Sequence, residues 1–220
     1  MSMDQTSLVK HQQDTQTAIA KHGLPTVEIA QGRLFYRVQS SSFANPLFYN
    51  RDSPTRYGDI YKQLGVCYVA GSDLVAVAET LQVDQAFARS PLTRAVIESK
   101  TLHTLATSRT LRVVDVAVLA RTGGKTLDAL VGAPGEGGKG YAYTQMLSAL
   151  VMRHPNRVDG LLYPSRAYAI AGSIRGCNLA LFEGRANQLM AVNRVRLIET
   201  ELGCGESIME FLLRIQVPFG

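Results

Sequence analysis

Four side chains could do chemistry together. They are Arg37 in Leu34-Phe35-Tyr36-Arg37-Val38, Arg56 in Pro54-Thr55-Arg56-Tyr57-Gly58, Glu79 in Ala76-Val77-Ala78-Glu79, and Ser165 in Tyr163-Pro164-Ser165-Arg166. Each lies on or beside a short apolar segment of the kind that builds a core. Two guanidiniums, a carboxylate and a hydroxyl so placed predict a polar cleft on a rigid frame: guanidinium forks bind anions, and a serine here suits donating and accepting hydrogen bonds. Taken singly, each has a plainer reading. Glu79 alone is a helix-face carboxylate, Arg37 a strand-edge charge, and Arg56 with Tyr57 a loop pair. Only the joint pattern argues for chemistry.

The elements that must position these residues follow from periodicity and turn signals. Leu34 to Val38 and Val66 to Ala70 read as strands, joined by a long connection carrying Asn45, Pro46, Asn50, Asp52, Pro54 and Gly58. Ser72 or Asp73 caps a helix whose Leu74, Val77, Ala78 and Leu81 form a buried stripe, which leaves Glu79 on its flank. A helix is predicted over about 91–105, then a valine-rich strand over 111–119. Residues 122–140 form a loop with seven glycines. Tyr143, Met146, Leu147, Leu150 and Val151 mark the clearest helix. Further strands are predicted over 158–163, 178–182 and 191–198, and a last helix over 207–213. Strands outnumber helices without strict β-α-β alternation, so the class is α+β in a single domain. Residues 1–31 are polar, with a weak amphipathic helix over 7–21 ended by Gly23-Leu24-Pro25. They read as an arm on a main domain at 32–220.

Composition narrows the function classes. The chain has 220 residues, 46% hydrophobic and 19% charged, which suits a globular domain with a substantial core. No segment approaches the length of a membrane-spanning helix, and the polar start is not signal-like, so a cytoplasmic protein is expected. Lys and Arg number 23 against 18 Asp and Glu, giving +5, but the basic residues are dispersed singly rather than run together as in a nucleic-acid binder. The three cysteines and four histidines show no metal-ligand spacing, so no metal is expected. Gly123-Gly124-Lys125-Thr126 lacks the earlier glycine of a phosphate-binding loop, and Ser165 lacks a G-x-S-x-G elbow.

In order and spacing, Tyr36-Arg37-Val38, Thr55-Arg56-Tyr57-Gly58, Gly65 to Ala70 with Ala76 to Glu79, Asp159 to Ser165 and Gly176 to Phe182 resemble the RES domain over about residues 32–184. That family is named for its Arg, Glu and Ser. The resemblance implies an ADP-ribosyltransferase-like fold of mixed and antiparallel sheet with flanking helices. It implies a toxin of a bacterial toxin–antitoxin pair that takes NAD as substrate and is neutralised by an Xre-type DNA-binding antitoxin. The family's activities leave hydrolysis, phosphorolysis and ADP-ribosyl transfer to a protein open. A homo-oligomer is open too, and a non-catalytic anion-binding module is the alternative of another class. By the resemblance Arg37, Glu79 and Ser165 are catalytic, while Arg56, Tyr57 and Tyr68 bind substrate; the chemistry of the residues adds Asn178 as a supporting candidate. The chemistry agrees. Arg37 and Arg56 suit the pyrophosphate, and Tyr57 or Tyr68 the nicotinamide face. Glu79 suits the ribosyl cation, and Ser165 an amide or ribose hydroxyl.

Overall fold

A computed structural model describes residues 5–52, 55–87, 91–124, 141–168, 170 and 172–220. Among them an eight-stranded sheet runs in the order β1-β5-β6-β7-β3-β2-β4-β8. The strands are β1 (Thr26–Ile29), β2 (Leu34–Ser40), β3 (Val66–Ala70), β4 (Lys100–Thr107), β5 (Leu111–Asp115), β6 (Gly160–Pro164), β7 (Cys177–Phe182) and β8 (Leu189–Arg196). The helices are α1 (Gln5–His22), α2 (Asp73–Phe87), α3 (Arg94–Glu98), α4 (Val116–Thr122), α5 (Ala142–Met152) and α6 (Ile208–Arg214). Only the β5–β6 pair is parallel; the other strand pairs are antiparallel. This is a single α+β domain, the class the sequence predicts.

The sheet is joined weakly at its middle. β2 pairs with β4 over seven residues and β3 with β7 over five, yet β2 and β3 meet at one register position, Tyr36 opposite Ala70. Two well-laddered halves therefore diverge from that point. The V between them is where a ligand can enter a sheet without breaking a ladder.

One face of the sheet buries Phe35, Cys67, Val69, Leu105, Val113, Leu179 and Leu181. On the other face, α2 covers Val38 and Ala70, and α4 and α5 cover Val66, Val114, Leu161, Ala180 and Phe182. Strand alternation accounts for the split, since Cys67 and Val69 point one way and Val66 and Ala70 the other. The stripe predicted for α2 is buried, and so are Val75 and Ala76. These residues share a buried cluster with Ile208, Phe211 and Leu212 of α6, and Glu79 sits half-buried at its margin.

Two elements differ from the sequence reading. The helix expected over 91–105 is five residues long and gives way to β4 at Lys100. β4 lies between β2 and β8 and is buried on both faces, so it lacks the polar alternation that marks a strand. The strand expected over 111–119 stops at Asp115, whose Oδ1 accepts from the Ala117 and Val118 amides at 2.9 and 3.1 Å and starts α4. A local cap overrides the β preference of the valines that follow. The segment read as an arm carries, besides α1, a strand the periodicity does not reveal: β1 pairs with β5 at one edge of the sheet. α1 lies on α4 and α5 with Thr15 fully buried. Most of the glycine-rich loop, residues 125–140, lies outside the described residues.

Candidate active site

The V between β2 and β3 is a cavity of about 310 Å³. Tyr36, Arg37 and Val38 line it from β2, Tyr68, Val69 and Ala70 from β3, and Ala76, Glu79 and Thr80 from α2. Thr55, Arg56, Tyr163 and Asn178 complete the wall.

Glu79 is fixed by long-range contacts. Its Oε1 accepts from Ser165 Oγ at 2.7 Å, from Asn178 Nδ2 at 2.9 Å and from the Arg166 amide at 3.3 Å. Hydrogen bonds to a charged acceptor each contribute on the order of 1.5–3 kcal/mol, enough to hold one carboxylate rotamer in a half-open cleft. Among the described residues nothing donates to Oε2. The carboxylate is thus held at one oxygen and available at the other.

Backbone packing brings these donors together. Gly71 ends β3, and its N–H donates to Cys177 O at 2.8 Å. A Cβ there would meet Ile174 O at 1.9 Å, so glycine is what lets the β3–α2 turn press against the entry to β7. Asn178, next on β7, lies opposite Ala70 on β3 and Tyr163 on β6. Ser165 follows β6, its amide donating to Gly176 O at 2.9 Å while its Oγ accepts from the Tyr168 amide at 3.1 Å. Both Ser165 and Asn178 are buried, so neither can reorient without losing partners.

Arg37 occupies the floor of the split. Its Nη1 donates to Pro46 O at 2.8 Å, to Phe48 O at 3.3 Å and to Cys67 Sγ at 2.9 Å, linking β2, β3 and the intervening loop where ladder bonds stop. Burial pushes the Cys67 pKa up despite the Arg37 cation, so the thiol stays neutral and its Sγ accepts a hydrogen bond from the guanidinium. Arg56 lines the opposite wall, its guanidinium 5.7 Å from the centre of the Tyr141 ring.

The two tyrosines separate. Tyr68 lines the cavity, and its hydroxyl exchanges a 2.8 Å hydrogen bond with Thr55 Oγ1 while accepting the Tyr57 amide at 3.1 Å. Burial pushes its phenol up to about 12, so it stays neutral. Tyr57 is not at the surface of the cleft. At 1% exposure it packs against Tyr163, ring centres 4.5 Å apart, and Ser148 Oγ donates to its carbonyl at 2.7 Å. Its ring belongs to the core, so of the two only Tyr68 offers a face to a ligand.

Behind this loop, Asp59 accepts from the Tyr61, Gln63 and Leu64 amides and from Arg153 at 2.8 Å. Burial alone would raise its pKa, but Arg153 and the three amides hold it below the ordinary carboxylate value.

Thr55, Tyr163 and the neighbourhood of Arg166 belong to the site without having been singled out from the sequence. Arg166 had one available signal, its position directly after Ser165. Burial, and then the neighbouring Arg56 cation, lower its pKa.

The RES domain family model matches residues 34–202, and the chain belongs to that family. A solved structure with the same fold is the Mycobacterium tuberculosis MbcT–MbcA toxin–antitoxin complex, one chain of which is 17% identical and aligns with a TM-score of 0.58 over 86% of this chain and 92% of that one. The mixed eight-stranded sheet with flanking helices is consistent with the ADP-ribosyltransferase-like architecture that the sequence resemblance implies. No curated protein sequence matches the chain.

Proposed function

We propose that this chain is the toxin of a toxin–antitoxin pair and cleaves NAD at the bond between nicotinamide and ribose. The observation that carries the reading is Glu79, held at Oε1 by Ser165, Asn178 and the Arg166 amide inside a cleft that also holds Arg37 and Arg56. Loss of nicotinamide leaves positive charge on the ribose, and a fixed carboxylate stabilises that charge as it develops. The C1′–N bond breaks with its electron pair going to nicotinamide, which departs neutral. An oxygen of water or phosphate then bonds to C1′ and releases its proton to solvent. No strong general acid is needed, and positioning carries the rate.

In this scheme Glu79 faces the ribosyl cation through Oε2, while Ser165 and Asn178 orient it. Arg56 takes the diphosphate, Tyr68 offers its ring to the nicotinamide, and Arg37 holds the two halves of the sheet around the ligand. The partner is an antitoxin, by analogy with the structural neighbour, whose title names a toxin–antitoxin complex. An Xre-type antitoxin that covers the cleft fits this reading, as does action in the cytoplasm.

The test is purified protein, free of antitoxin, incubated with NAD with and without phosphate. Nicotinamide release is expected, with ADP-ribose or its phosphate ester as co-product. A discrete protein band labelled from NAD in lysate would move the reading to ADP-ribosyl transfer. Absence of nicotinamide release under all these conditions would sink it.

A further inference from the structure

NAD is two nucleotides joined through a diphosphate, and pockets that enclose a drug-sized ligand run from roughly 300 to 1,000 Å³. The cleft at Glu79, about 310 Å³, lies at the small end of that range, so a whole dinucleotide has to extend beyond it. A second cavity of about 370 Å³ adjoins it. The two share Tyr36 as a wall, and Ala70 of the first is followed by Gly71 of the second. They therefore lie on either side of the one register pair, Tyr36 opposite Ala70, that joins β2 to β3.

The second cavity draws charge from three parts of the chain: Arg33 just before β2, Asp73 at the start of α2, and Arg175 just before β7. Among the described residues neither arginine's guanidinium has a hydrogen bond or an ion pair; only their backbone amides are engaged, by Thr107 Oγ1 and Ser173 Oγ. Both cations act on the shared wall. Burial and the Asp73 carboxylate raise the Tyr36 pKa, and Arg175 and Arg33 oppose them. Asp73 accepts the Leu74 amide at 2.9 Å on Oδ1 and the Gly203 amide at 2.6 Å on Oδ2, which leaves each oxygen capacity for a further donor.

We propose that this second cavity is the subsite for the adenylate half of NAD, with Arg33 and Arg175 on its phosphate and Asp73 accepting from its ribose hydroxyls. The proposal rests on the NAD reading above. Guanidinium forks match phosphate oxygens, and a carboxylate is the partner that ribose hydroxyls take in dinucleotide sites. Tyr36 then divides the substrate. The nicotinamide riboside lies on the Glu79 side and the adenosine on the other, with Arg56 meeting the diphosphate from the cleft.

Calorimetric titration with AMP, and with inorganic phosphate as the rival source of the same group, tests the subsite without turnover. Arg33→Gln and Arg175→Gln remove charges that no neighbouring group holds, and each should weaken AMP binding about tenfold. Phosphate at equal concentration should not displace AMP. In turnover, KM for NAD should rise by about the same tenfold factor with kcat within about threefold. Equal AMP affinity in wild type and both variants overturns the proposal, as does an unchanged KM. Displacement of AMP by phosphate overturns it too, because the cavity would then be a site for the free ion. A wild type that binds AMP through these arginines but leaves NAD intact keeps the subsite and refutes the proposed reaction.

Discussion

Ser165 Oγ donates to Glu79 Oε1 at 2.7 Å across a separation of 86 residues, and this bond joins the end of β6 to the flank of α2. Ser165→Ala removes one of three donors and leaves Asn178 and the Arg166 amide in place. The expected result is a loss of roughly tenfold in kcat for nicotinamide release. Glu79→Ala should lose on the order of a thousandfold. Equal losses in the two variants would give the serine a direct part in the reaction.

Asn178 tests the electrostatics of the same carboxylate. Asn178→Ala should lower kcat by about the amount seen for Ser165→Ala. Asn178→Asp places a second carboxylate at the 2.9 Å contact, and two such groups cannot both ionise cheaply. Its activity should fall below that of the alanine variant at neutral pH and recover in part as pH drops and the pair takes up a proton. A pH–rate profile from 5 to 9 checks this; identical profiles for both variants would break the link between Asn178 and Glu79.

Tyr68 supports the Arg56 loop through its hydroxyl. Tyr68→Phe leaves the Tyr57 amide and Thr55 Oγ1 without this partner, so KM for NAD should rise by about tenfold. Tyr57→Leu should act on stability instead, because its buried ring packs on Tyr163, and a loss of about 1–3 kcal/mol in denaturant unfolding is expected.

Asp59 sets an acid limit. Its folded pKa lies below the unfolded value of about 3.9, so its stabilisation is complete above that value and is lost as pH falls through the folded pKa. Asp59→Asn should therefore be less stable than wild type at pH 7, with the difference shrinking below about pH 4. Thermal unfolding across pH 3–7 measures it, and a constant difference would assign the effect to packing.

How much of this was legible in the sequence depended on whether the signal was local. The α2 stripe was, and it placed Glu79 off the apolar face because helical spacing is a property of the segment itself. β4 was not, since burial on both faces of the sheet erases the alternation that identifies a strand. The list of site residues rests on the resemblance to the RES domain, which the order and spacing of its motifs carry. The hydrogen bonds that tie Ser165, Asn178 and Glu79 together depend on a close approach at Gly71 that only tertiary packing reveals. Tyr57 shows the opposite failure: an aromatic beside Arg56 looks like a ligand-facing ring, but its neighbours in space, Tyr163 and Ser148, come from other elements and enclose it.

The central claim is that the fixed carboxylate of Glu79 drives cleavage of NAD. The most direct measurement is the rate of nicotinamide release by wild type and by Glu79→Gln, which keeps the shape and a hydrogen-bonding oxygen but removes the charge. The account predicts measurable release by wild type and a drop of about a thousandfold in the variant, with ADP-ribose still bound. Undiminished release from Glu79→Gln would contradict it.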